Sequence, residues 1–252
     1  MALGDAEMTA AMLTRQSGLM PSAAAPRSAD LAVSSKTYSR VIGALFPLGF
    51  LFYGTGFALV SSVIGVPDFL QTMPAHQTTL IAGAFLMLLN TGVDMAKGAL
   101  MFPVLESHGR RTAVAYLAAM TLEVALMAVG IVSLLMLLPL AHQAGAGTGW
   151  SAGVAAILIQ SNAMAYQIAM MTLAVVNIFV WLLTFRVRLI PRALSAWGVA
   201  GYVVLAAGSV AEFFGLPVSL IASVPGGLFE LALGAWLLVK GFNAEAYDAT
   251  SA

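Results

Sequence analysis

Five ionisable residues fall inside otherwise apolar sequence; Glu212 lies near the end of its stretch, and the types and spacing of the other four suit proton transfer or the binding of a polar solute. The stretch NTGVDMAKGALM (90–101) puts Asp94 and Lys97 three residues apart, with Asn90 one helical turn before the aspartate. Positions i, i+4 and i+7 share a helix face, so Asn90, Asp94 and Lys97 make one polar stripe in which acid and base can pair. Glu123, in TLEVALMAVG, and Glu230, in LFELALGAW, each stand in an apolar run. A charge at the centre of a membrane helix costs about 2.5 to 3.5 kcal/mol on insertion scales. Three acids against one base leave excess negative charge, which protons can neutralise. The candidates for a ligand site or proton relay are therefore Asp94, Lys97, Glu123, Glu230 and Asn90, with Asn177 within reach of the cluster.

Other chemistry finds no support in the residues. The chain has no cysteine, and His76, His108 and His142 fall in expected loops, His108 as a solvated one. No glutamate is followed three residues later by histidine, as di-iron bundles require. Phosphate loops, GxSxG elbows and HExxH pairs are absent from the sequence. No catalytic residue, metal or cofactor is expected, and an enzyme is disfavoured.

The elements that must position these groups follow from composition. The 252 residues are 60% hydrophobic and 9% charged, against about 25% charged in soluble domains. Such a chain lacks the polar surface to meet water, so a lipid bilayer is its expected partner. Eleven basic and eleven acidic residues cancel, which argues against nucleic acid. A homo-oligomer is compatible with the sequence.

A crossing needs about 20 apolar residues. Six stretches qualify, 40–63, 78–103, 112–140, 162–185, 192–214 and 218–240. The expected fold is all-α, a six-helix transmembrane bundle. Residues 151–160 either extend the fourth span or lie along the outer surface, since a helix over 151–185 would measure about 52 Å. Ten of the eleven basic residues fall before span one, between spans two and three, between spans four and five, or after span six. Cytoplasmic loops hold the excess of Lys and Arg, so both termini are expected to be cytoplasmic. The expected domains are a disordered cytoplasmic tail over 1–37, a six-span membrane domain over 38–243 and a short cytoplasmic tail over 244–252.

Counted from the cytoplasmic ends, Asp94, Glu123 and Glu230 each lie roughly 16 Å deep, near the midplane. Lys97 lies about one turn nearer the cytoplasm. Span six carries Pro225, Gly226 and Gly227 just before Glu230. The proline removes the hydrogen bond to the Ile221 carbonyl, so a helix break is expected there, as transporters have beside midplane carboxylates. Trp181, Trp197 and Trp236 are expected at the cytoplasmic interface and Trp150 at the outer one.

Longer motifs carry a family likeness. RLIPRALSAWGVAGYVVLAAG (188–208), FELALGAWLLVKGFN (229–243) and the stretch 102–140 resemble the bacterial integral membrane family called domain of unknown function 4386. The likeness runs from Arg40 to Asn243 and implies a multi-pass protein of the bacterial inner membrane, with no activity to transfer. Glu123, Glu230, Trp236, Lys240 and Ile190–Arg192 match the family pattern. One departure stands out. That pattern often has arginine three residues before the span-three glutamate, where this chain has Met120. Lys97 is expected to supply the missing charge to Glu123 from a neighbouring helix.

Two functional readings follow. In the first, the protein binds or moves a small solute or a proton through a midplane carboxylate cluster. In the second, it is a non-transporting scaffold or assembly subunit whose buried charges fix helix packing.

Overall fold

The computed structural model describes residues 28–144 and 150–248. Among these the chain is helical, with no strand. It divides into Met1–Ser34, of which only 28–34 are described, and a compact unit Ser35–Ala252 that contains the whole candidate site. The helices are α1 (Ser28–Ile64), α2 (Phe69–Leu135), α3 (Leu137–Ala144), α4 (Ser151–Val187), α5 (Arg192–Phe213), α6 (Ser219–Val239) and α7 (Ala244–Asp248). Five helical segments are long and apolar enough to cross a membrane, and the second of them, Phe69–Gln143, runs for 75 residues.

That segment does not run straight. Gly109 is extended (φ −172°, ψ 85°) within the polar run ESHGRR, and α2 folds there into two arms, 69–108 and 110–135. The arms pack on each other: a Cβ at Gly98 would sit 3.2 Å from the Met120 Cβ. His108 fastens the bend. Its ring nitrogens lie 2.9 Å from the Val104 and Ala246 carbonyl oxygens, so it is half-buried and tied to α7, not the solvated loop residue the sequence suggested.

Other boundaries also differ from expectation. Residues 1–27 of the expected tail lie outside the described residues, while 28–37 already belong to α1. No proline or glycine interrupts the chain between Pro26 and Gly43, so nothing stops the helix from starting early. α4 reaches back to Ser151 and is about 55 Å long, which extends the fourth span. Trp181 is buried against Phe229, with ring centroids 4.8 Å apart, whereas Trp150, Trp197 and Trp236 are exposed. An indole needs a partner for packing as much as an interface, and Phe229 with Tyr202 supplies it.

Helices in lipid gain little from hydrophobic burial against one another, so close approach and dispersion hold them together. Glycine pairs provide it. A Cβ at Gly43 would lie 2.8 Å from the Gly234 oxygen, joining α1 to α6. One at Gly56 would lie 2.6 Å from the Gly83 oxygen, joining α1 to α2. One at Gly201 would lie 3.0 Å from Gly226 Cα, joining α5 to α6. α1 is therefore a diagonal strut, against α6 near the end rich in Arg and Lys and against α2 near the far end.

The buried apolar residues form two clusters at these two ends. One, near the basic end, gathers Phe46, Met101, Met120, Trp181, Phe229 and Leu237. The other, at the far end, gathers Val60, Leu80, Met87, Ile131, Leu137 and Ala155, with no residue from α5 or α6. On the two arms of α2, Asn90, Asp94, Lys97 and Glu123 fall between the two clusters.

Candidate functional site

The polar stripe of α2 is a closed circuit. Lys97 Nζ lies 2.7 Å from Asp94 Oδ1, and Asn90 Nδ2 donates to Asp94 Oδ2 at 2.6 Å. All three side chains are buried. Helical spacing alone brings them together, since i, i+3 and i, i+4 neighbours lie on one face. Lys97 Nζ also sits 5.2 Å from the centroid of the Phe46 ring. Gly49 of α1 makes the room for this: a Cβ there would stand 3.0 Å from Asn90 Oδ1 and 3.9 Å from the ammonium.

Glu123, from the second arm of α2, and Glu230, from α6, face the same space. Both line a cavity of about 210 Å³ together with Asn90, Asp94 and Lys97. Tyr202 of α5 donates its hydroxyl to Glu230 Oε1. Glu123 is buried, and its Oε2 has no hydrogen-bond partner. Lys97 makes its ion pair with Asp94, and neither Glu123 nor Glu230 is in an ion pair among the described residues. The charge expected to pass from Lys97 to Glu123 therefore goes to Asp94, one turn away on the same helix.

The remaining sequence candidates divide. Gly226 and Gly227 line the cavity, and Pro225 does not. The expected break is absent, because α6 runs helically from Ser219 through Pro225 to Val239. Pro225 lies only two turns into the helix, so one bond near the N-terminus is lost and the rest of the ladder stands. The glycines serve contact instead, Gly226 with Gly201 and Gly227 with Phe50, whose ring would be 3.3 Å from a Cβ at 227. Asn177 is buried on α4, where its amide donates to the Leu173 carbonyl of its own helix at 3.0 Å, and it does not line the cavity.

The profile of the family described as Domain of unknown function (DUF4386) matches residues 41–241. The chain belongs to that family. The match covers every residue of the cavity wall, from Phe46 to Glu230. No curated protein and no solved structure matches the chain. In this member of DUF4386, Asn90, Asp94, Lys97, Glu123 and Glu230 meet at one cavity inside the family region.

Sequence reading missed the aromatic part of that geometry. Tyr53 and Tyr166 stack with centroids 5.8 Å apart and both line the cavity, as does Tyr202. Tyrosine within a span reads by default as an interfacial anchor. Only the helical offset of Tyr53 from Gly49, one turn along the same face, pointed inward.

Replacing Tyr202 with phenylalanine keeps the ring contacts with Trp181 and Phe229 and removes the donor to Glu230. The expected cost is about 1 to 3 kcal/mol, the range for leaving a buried acceptor without its donor. It should appear as a lower unfolding temperature in detergent, and an unchanged temperature would show that the bond contributes nothing.

Proposed function

We propose that this protein is a six-span protein of the bacterial inner membrane that binds or moves a small solute or a proton through its central carboxylates. One observation carries the reading: three acids from three helical arms line one cavity, and the most buried of them, Glu123, has an oxygen without a donor. Leaving a buried polar atom unmatched is costly, and a chain keeps such a group where something else comes to meet it. Ionisable residues in membrane helices mark solute and proton paths by default.

The six crossings come from dividing Phe69–Gln143 at Gly109, since 75 residues of helix would measure about 112 Å against a hydrocarbon core of about 30 Å. Arg40, Arg110, Arg111, Arg186, Arg188, Arg192 and Lys240 then share one end, which the positive-inside rule assigns to the cytoplasm along with both termini. Residues 1–37 and 244–252 are the cytoplasmic ends of the chain in this reading.

The scaffold reading rests on one contact. Among the described residues, the polar bond from Tyr202 to Glu230 joins two helices at the site, while those among Asn90, Asp94 and Lys97 stay within α2. Buried charges that fix helix packing should link helices, and most of these do not.

The test is proton or solute flux in proteoliposomes. With a pH-sensitive dye inside, Glu230→Gln is expected to abolish proton movement coupled to the site, and flux equal to the parent protein's would remove Glu230 from the mechanism. The glutamine keeps an acceptor for Tyr202, so the fold should persist.

A further inference from the structure

We propose that the cavity takes a small primary or secondary organic ammonium ion, which enters between α1 and α6. The inference rests on the reading of the cavity as a binding site and adds the chemical class of the ligand and its route.

Charge comes first. Lys97 and Asn90 answer both oxygens of Asp94 from within α2. Tyr202 answers one oxygen of Glu230. What is left facing the cavity is Glu123, with Oε2 unmatched, and the second oxygen of Glu230, with no cation paired to either residue among the described residues. A cation that carries N–H groups supplies both missing quantities, charge and donors. A quaternary ammonium supplies charge alone, and an alcohol supplies a donor alone.

The walls decide between a bare ion and an organic one. Hard metal cations take six or more oxygens in a polar shell, and no group of three or more acids and histidines is arranged to hold a metal among the described residues. The space is walled instead by Phe50, Tyr53, Tyr166, Met127, Met170 and Leu205. Aromatic faces within about 6 Å attract an ammonium through the ring quadrupole, as Phe46 already does for Lys97. An apolar cavity of about 150 Å³ accommodates benzene. The 210 Å³ found here therefore suits a body of roughly six to ten non-hydrogen atoms.

The route follows from the diagonal of α1. It touches α6 at Gly43 and leaves it toward Gly83, and the far apolar cluster includes no residue of α5 or α6. Between α1 and α6 the cavity wall reaches the protein surface at exposed Phe50 and Gly54, opposite half-exposed Ser223 and Gly227. No atom lies within 4 Å of where a Gly54 Cβ would be. The mouth is open because a glycine stands there.

The experiment is equilibrium dialysis of the purified full chain in detergent against radiolabelled benzylammonium, with benzyl alcohol, benzoate and benzyltrimethylammonium as comparison probes. Benzylammonium is expected to bind at one site and to be the tightest of the four. Glu123→Gln should weaken it about thirtyfold or more, the scale for removing one partner of a buried charge pair. Gly54→Leu should fold with an unfolding temperature no lower than the parent's, because the space is open and leucine favours helix over glycine. It should nevertheless lose binding, since the new side chain closes the mouth. Benzyl alcohol binding as tightly as benzylammonium, or Glu123→Gln binding unchanged, would overturn the ammonium assignment and leave the cavity a binding site for something else. Full binding by Gly54→Leu would overturn the route. Failure of all four probes would overturn the ligand class, while proton flux lost in Glu230→Gln would still separate that result from failure of the site itself.

Discussion

Lys97→Met is expected to destabilise the protein by about 3 to 5 kcal/mol, the cost of stranding one member of a buried ion pair. Asp94 is only 5% exposed and loses the partner at 2.7 Å, which leaves it the Asn90 amide as a donor. Thermal unfolding in detergent, or survival through size-exclusion chromatography after heating, reads the loss. The double variant Asp94→Asn/Lys97→Met removes both charges at nearly constant volume and should recover most of it, because neutral replacement of a buried pair is often harmless. Met120→Arg provides a sharper comparison. Position 120 faces Gly98 across the two arms of α2, so an arginine there sits i, i+3 from Glu123 and answers that acid, not Asp94. Rescue of Lys97→Met by arginine to the level of the double neutral variant would mean that Lys97 acts for Glu123 after all.

Gly56→Ala should be as damaging, for a reason that has nothing to do with charge. The added methyl would sit 2.6 Å from the Gly83 oxygen and 2.9 Å from the Met87 nitrogen. Both are backbone atoms, so no rotamer change relieves the overlap and α1 must lift away from α2. Overpacking costs about 1 to 3 kcal/mol where side chains can adjust; with rigid backbone on both sides about 3 kcal/mol or more is expected. The control is two residues away on the same helix. Gly54→Ala meets no atom within 4 Å and should be neutral or up to about 1 kcal/mol more stable through helix propensity. Equal unfolding temperatures for the two variants would show that α1 and α2 do not depend on their close crossing.

These contrasts show what a linear chain discloses. The Asp94–Lys97–Asn90 circuit was legible because it is local, set by spacing within one helix. The grouping of Glu123 and Glu230 with it needed only span counting, a matter of length. The cavity itself was hidden. Its walls depend on Gly49 and Gly54 leaving space, on Tyr53 stacking across to Tyr166, and on which side of α1 turns to α6. Those are relations between helices, and apolar composition is nearly the same on every face of a membrane helix. Trp181 illustrates the limit: its place near a span end fits an interfacial belt, yet it packs inside against Phe229. Asn177 does likewise, spending its amide on its own helix.

The bend at Gly109 has one more consequence. Asp94 stands fifteen residues before it and Glu123 fourteen after it, so nearly equal lengths of helix on either side of the hinge carry the two carboxyls to one height. The hinge works as the zero of a ruler. Inserting a single residue into either arm between the hinge and its acid would turn that carboxyl by about 100° and shift it about 1.5 Å, aiming it away from its neighbour. Insertions and deletions between Asp94 and Glu123 should therefore be selected against even where every individual side chain tolerates exchange.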